Sequence, residues 1–247
     1  QILDKSKLKD LHCEVDTPAG KLIVNGTGAD EVRGSAAVIV DLGGDDTYLC
    51  PVGFGKSGIS VCVDVSGCDH YECMDDGAFG VGLRGVGILV DLGGMDCYRA
   101  NDLSMGAGLF GVGVLWDRGG EDLYEGGQFT SGVAYFGAGI LRDEGRDDRY
   151  SARWLAQGAG GPRGFGALVD RGGDDNYYCG GRYYCGSTSR RTSRSGCQGY
   201  AEGIRRVASG GIGLLVDTAG DDIYVAGSLS QGFGYWFGLG CLVDHAG

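Results

Sequence analysis

Apolar residues in this chain come in short runs, each ending on an aspartate followed by glycines; Ile88-Leu89-Val90-Asp91 and Leu214-Leu215-Val216-Asp217 are typical. Runs of this length, rich in β-branched residues and closed by Gly and Asp, predict strands of about five residues separated by turns. The runs belong to a repeat that reads apolar, apolar, apolar, Asp, x, Gly, Gly, x, Asp, x, Tyr. Its first aspartate falls at Asp41, Asp64, Asp91, Asp117, Asp143, Asp170, Asp217 and Asp244. The second lies five residues on, at Asp46, Asp69, Asp96, Asp122, Asp148, Asp175 and Asp222, and the tyrosine two later, at Tyr48, Tyr71, Tyr98, Tyr124, Tyr150, Tyr177 and Tyr224. A second phrase precedes the motif, as in Met105-Gly106-Ala107-Gly108 and Gln157-Gly158-Ala159-Gly160, and a Gly-x-Gly stands just before most apolar runs.

The spacing between first aspartates is 23, 27, 26, 26, 27, 47 and 27 residues. The long interval is one repeat of about 26 residues plus an insertion of about 20, placed at 181–207 and rich in Arg and Ser. It carries the one basic cluster, including Arg182, Arg190, Arg191, Arg194, Arg205 and Arg206. An early degenerate unit runs through Asn25-Gly26-Thr27-Gly28-Ala29-Asp30, so residues 25–247 are expected to form the repeat domain. Residues 1–24, with Lys5, Lys7 and Lys9, are read as a cap or linker. The last residues, Leu242 to Gly247, are the first half of a motif, and the chain is expected to be a piece of a longer protein.

A unit of this size cannot bury a core alone, but stacked units can. Three strands and three turns account for 26 residues, so the expected fold is all-β: a parallel β-helix, or β-solenoid, of about eight coils. A β-roll of 18-residue coils fits less well. Composition agrees: 52 of 247 residues are glycine, about 21 %, and 26 of the 33 acids are aspartate, both poor helix formers. That excludes a helical bundle, and the scarcity of proline (3) excludes collagen. A net charge of −12 argues against nucleic acid as a partner, and no run of about 18 apolar residues is present to span a membrane.

Stacking turns each motif position into a row along the rod. The position two before the first aspartate (Ile39, Cys62, Leu89, Leu115, Leu141, Leu168, Leu215, Leu242) predicts an inward core row. The variable position between the second aspartate and the tyrosine (Thr47, His70, Cys97, Leu123, Arg149, Asn176, Ile223) points outward, so the second aspartate and the tyrosine point inward. Positions one and three before the first aspartate are mostly Val, Ile and Leu. They predict an apolar outer stripe of the kind that takes a partner.

Two rows of carboxylates at steps of ~4.8 Å repel one another unless compensated. Backbone N–H groups of the turns, protons, or bound cations each serve. Among cations, calcium (Ca2+) suits oxygen ligands in Gly-rich turns. The candidate metal ligands are Asp41, Asp46, Asp64, Asp69, Asp91, Asp96, Asp117, Asp122, Asp143, Asp148, Asp170, Asp175, Asp217 and Asp222. Phrases such as Gly43-Gly44-Asp45-Asp46-Thr47-Tyr48 and Gly172-Gly173-Asp174-Asp175-Asn176-Tyr177 resemble the RTX-type calcium repeats, G-G-x-G-x-D-x-U-x. They depart from that pattern in lacking the second x-G in most copies, in adding an upstream aspartate, and in a period near 26. The unit also looks like repeats of large secreted bacterial proteins. The resemblance implies a secreted, extracellular or cell-surface location, and with it calcium binding.

Ten cysteines are present, without a C-x-x-C pair, which argues against a zinc knuckle or haem attachment. Cys50 and Cys73 each lie two after the motif tyrosine, so they are expected as neighbours on adjacent coils within disulfide range. Cys179, Cys185 and Cys197 flank the insertion and are candidates to tie it down. No nucleophile elbow, Walker loop or H-E-x-x-H motif occurs. Parallel β-helices also host polysaccharide lyases and hydrolases; Arg190, Arg191 and Arg194, beside Tyr183 and Tyr184, are the candidates for binding an acidic glycan. The expectation is a secreted structural or adhesive module rather than an enzyme. It would be calcium-stabilised, and would associate with itself or with a surface-assembly protein. A carbohydrate-active or glycan-binding β-helix is the alternative.

Overall fold

The computed structural model describes residues 8–181, 183–184 and 193–245. These form strands and no helix, wound into a β-solenoid of about 7 turns of ~27 residues. The eight first-row aspartates bound seven intervals, which is the number of turns. No helix of the described residues is long and apolar enough to cross a membrane.

Two sheets run the length of the rod, and a third, shorter one covers part of it. The long sheet has ten strands: His12–Thr17, Gly20–Asn25, Val38–Val40, Ile59–Asp64, Val86–Asp91, Val112–Trp116, Ala138–Arg142, Phe165–Val169, Ile212–Asp217 and Leu239–Asp244. The first pair is an antiparallel hairpin and the rest are parallel and in register, Asp64 beside Asp91 and Leu89 beside Leu115. The tyrosine sheet has eight strands in the same order, from Glu31–Val32 to Ile223–Ala226, with tyrosine beside tyrosine. A short sheet of four strands begins at Phe54–Lys56.

Alternation decides what lies inside. The strand Ile59–Asp64 buries Ser60, Cys62 and Asp64 and turns Ile59, Val61 and Val63 outward. The predicted core row is fully inside, with Cys62, Leu89, Leu115, Leu141, Leu168 and Leu215 at 0 % exposure. The row four before the aspartate must be small because the short sheet passes directly over it. A Cβ on Gly113 would lie 2.1 Å from the carbonyl oxygen of Ala107, a distance no side chain tolerates. The second sequence phrase marks a corner: Met105, Ser131, Gln157, Gln198 and Gln231 hold left-handed backbone angles, each followed by a left-handed glycine. A non-glycine residue there costs roughly 1 kcal/mol or more, recovered by the stacking it allows.

The insertion is two insertions. Successive coils are offset by 27 residues at Ala152↔Cys179, by 41 at the Gly160↔Ala201 bridge, and by 47 at Phe165↔Ile212. So 14 residues enter before Ala201 and six after it. The first excursion includes the antiparallel pair Tyr183–Tyr184 and Ser193–Arg194, and Cys179 is bridged to Cys197 at its base. The second holds Arg205, whose guanidinium lies 5.4 Å from the rings of Tyr235 and Trp236.

The Cys50–Cys73 bridge is corrected: both are buried free thiols. Cys50 lies past the end of the strand Thr47–Tyr48 and its thiol donates to the Val32 carbonyl (3.6 Å), and burial raises both thiol pKa values. Cys185, Arg190 and Arg191 lie outside the described residues; Arg194 is exposed on its short strand.

Candidate metal centre

The Asp-x-Gly-Gly-x-Asp-x-Tyr motif spans the corner between the long sheet and the tyrosine sheet, and its two aspartates and its tyrosine all face inward. The first aspartate closes the turn. Its Oδ1 accepts the backbone N–H two residues on, as Asp91 does from Gly93 (3.0 Å) and Asp117 from Gly119 (3.0 Å), the turn chemistry for which aspartate is suited. Its Oδ2 accepts the phenol of the preceding coil: Tyr71 donates to Asp91 (2.7 Å), Tyr98 to Asp117, Tyr124 to Asp143 and Tyr150 to Asp170 (each 2.6 Å). The tyrosine rings stack continuously from Tyr48 to Tyr224 at centroid distances of 4.5–4.9 Å. Burial holds these phenols neutral by raising their pKa values, so they remain donors.

The second aspartate is satisfied on one oxygen alone. Its Oδ1 accepts the backbone N–H of the second aspartate one coil earlier: Asp69 N–H to Asp96, Asp96 N–H to Asp122, Asp122 N–H to Asp148, at 2.6–2.7 Å. Its Oδ2 meets no donor. The Oδ2 atoms of Asp30, Asp46, Asp69, Asp96, Asp122, Asp148, Asp175 and Asp222 are all buried without a hydrogen-bond partner. From Asp46 to Asp175 these side chains are no more than 3 % exposed. Each faces first-row carboxylates, so oxygens of three aspartates converge within 4.8 Å of one another. The groups include Asp46, Asp64 and Asp69; Asp69, Asp91 and Asp96; Asp96, Asp117 and Asp122; and Asp122, Asp143 and Asp148.

Such a cluster does not stay fully ionised in a dry interior. Burial first, and the neighbouring carboxylates after it, push Asp46 and Asp69 up to about 7, Asp122 to about 8, Asp175 to about 9, Asp96 to about 10 and Asp148 to about 12. The unpartnered oxygen therefore demands a positive species: a proton shared with the first-row carboxylate, or a metal ion. The clustered aspartates could bind a metal ion: all donors are hard oxygens, and those of each group lie within 4.8 Å of one another. Each coil also brings two carboxylates, whose combined charge one divalent ion balances.

The ladder thus unites the aspartates expected as ligands, from Asp41 to Asp222. It adds Asp30, whose N–H donates to Asp46 Oδ1 at 2.6 Å, and Asn25, which stands in the first-row position and donates to Asp41 Oδ2 at 2.9 Å. The degenerate unit at residues 25–30 carried that signal. The phenol-to-carboxylate bonds were missed, although the constant spacing of tyrosine from aspartate was in view.

The outer face of the tyrosine sheet carries two ion pairs, His70 beside Glu72 and Arg99 beside Glu125 (both 2.9 Å). A groove of about 420 Å³ runs across these strands, lined by Arg99, Glu125, Ser151, Arg153 and Tyr178. Compared with protein-family models, with characterised proteins and with solved structures, the chain matches none.

Proposed function

We propose that this chain is a secreted structural module, a β-solenoid rod stiffened by calcium on its inner carboxyl ladder and built into a larger surface assembly. One observation carries the reading. The reactive polar groups are spread evenly, one unpartnered carboxylate oxygen per coil, and turned inward where no substrate reaches. Chemistry repeated along the whole rod serves the rod. The Cys179–Cys197 bridge supports an oxidising, extracellular setting. Calcium outside cells is abundant enough to occupy sites of modest affinity.

The test is a thermal melt by circular dichroism at neutral pH, with calcium and with chelator, beside elemental analysis. A melting temperature raised by calcium, with several ions per chain, supports the reading. An unchanged melt and a metal-free protein would remove calcium from it.

The groove lined by Arg99, Arg153 and Tyr178 favours one second reading, a module that binds an acidic glycan. Binding of charged oligosaccharides lost in Arg153→Ala would support it.

A further inference from the structure

We propose that the outer face of the long sheet is a self-association surface, on which a second copy of this chain packs face to face. This deepens the structural-module reading by naming the partner and the surface. The solenoid presents two broad sheet faces of the same construction. The outward face of the tyrosine sheet is mixed, with His70, Glu72, Arg99, Glu125 and Arg149 standing among Leu123, Tyr178, Ile223 and Val225. The outward face of the long sheet is apolar at all but one position, Arg142. Its middle outward column reads Val38, Val61, Ile88, Val114, Ile140, Ala167, Leu214 and Cys241, and the columns on either side are mostly apolar too, with Ile59 at 68 % and Leu239 at 60 % exposure. Strand propensity explains Val and Ile on a pleated surface, but it acts equally on both sheets and so does not explain the difference. At the rim of the apolar face, Phe110 and Phe136 stack on each other at 4.9 Å while 58 % and 37 % exposed.

Area and charge favour a second copy. Eight strands at ~4.8 Å, and outward columns spanning five residues at ~3.3 Å, give a face of roughly 650 Å². Two such faces bury about 1,300 Å², within the range of stable specific interfaces. The three outward columns contain no carboxylate, and in a chain of net charge −12 the Glu144 carboxylate paired with Arg142 is brought to this contact already neutralised. Their one charge is Arg142. It is already neutralised by Glu144 and lies 5.2 Å from the ring of Trp116 on the next strand. These two residues occupy the fourth and fifth of the eight strands, at the middle of the rod. A two-fold axis along the strand direction between them sets Trp116 of each copy against Arg142 of the other, as a self-complementary contact requires. The rods then lie antiparallel, with sheets about 10 Å apart.

The test is sedimentation velocity of the full chain from about 1 to about 100 µM. The expected wild-type mass is twice 25.7 kDa. The variant carrying Val114→Glu and Ile140→Glu should sediment as a monomer, while Leu123→Glu, on the outer face of the tyrosine sheet, should remain a dimer. Circular dichroism verifies folding. If the double glutamate variant fails to fold, Val114→Thr with Ile140→Thr preserves strand propensity and should weaken dimerisation at least tenfold. A wild-type monomer throughout, a folded long-face variant that stays dimeric, or equal loss in Leu123→Glu would overturn the proposal. The calcium melt is read on the same samples. A monomer that still responds to calcium refutes the surface alone, and a dimer indifferent to calcium refutes the ladder alone.

Discussion

Each aspartate of the motif has a different task, set by which donors reach it. In Asp117 both oxygens are engaged, one by the Gly119 N–H and one by the Tyr98 phenol. In Asp122, Oδ1 accepts the Asp96 N–H and Oδ2 is bare. Two substitutions separate these roles. Tyr124→Phe removes the donor to Asp143 and leaves that oxygen dry, so it should cost about 1.5–3 kcal/mol in chemical denaturation while the ring stack persists. Asp122→Asn keeps the acceptor for the Asp96 N–H and supplies a donor toward the neighbouring carboxylates. In chelator the variant should melt at or above the wild-type temperature. In calcium it should bind fewer ions and gain less. A loss of stability in chelator equal to that of Tyr124→Phe would contradict the assignment of Oδ2 as the uncompensated atom.

The ladder is the element on which these residues act together, and its pH response follows from its raised pKa values. An unfolded aspartate titrates near 3.9, whereas Asp46, Asp69 and Asp122 in the fold titrate at about 7 to about 8. Between those limits the folded chain holds more protons than the unfolded one. Proton-linked stability is therefore complete below about pH 4 and is lost as pH rises through about 7 to 8. Metal-free protein should melt higher at about pH 5 than at about pH 8, the reverse of a protein stabilised by ionised carboxylates. Saturating calcium should flatten that slope, since the ion substitutes for the proton. Melting temperatures across this range, with and without chelator, check both statements.

At the scale of the whole molecule, the repeat made the architecture legible. The period near 26 implied the coil, and the variable position between the second aspartate and the tyrosine implied by alternation that both face inward. What periodicity does not encode stayed hidden. The interval of 47 residues gave the total inserted length but not its division at Ala201, which depends on where pairing resumes. The equal spacing of Cys50 and Cys73 from their motif tyrosines does not reveal that the Cys50 thiol turns to the Val32 carbonyl and that both stay free. The need for compensation was legible as two rows of like charge. Its location on one oxygen per coil required knowing that the tyrosines and turn amides satisfy the other three. The rod is thus a column of carboxyl pairs, each with one buried oxygen that no donor reaches, beside a stack of rings. The most direct measurement is calorimetric titration of the chelator-treated protein with calcium near pH 7, in buffers of different ionisation heat, which counts ions bound and protons released. The account predicts several ions per chain, each displacing up to about one proton, with affinity increasing as pH rises. Absence of binding, or binding without proton release at a pH where these carboxyls are protonated, would contradict it.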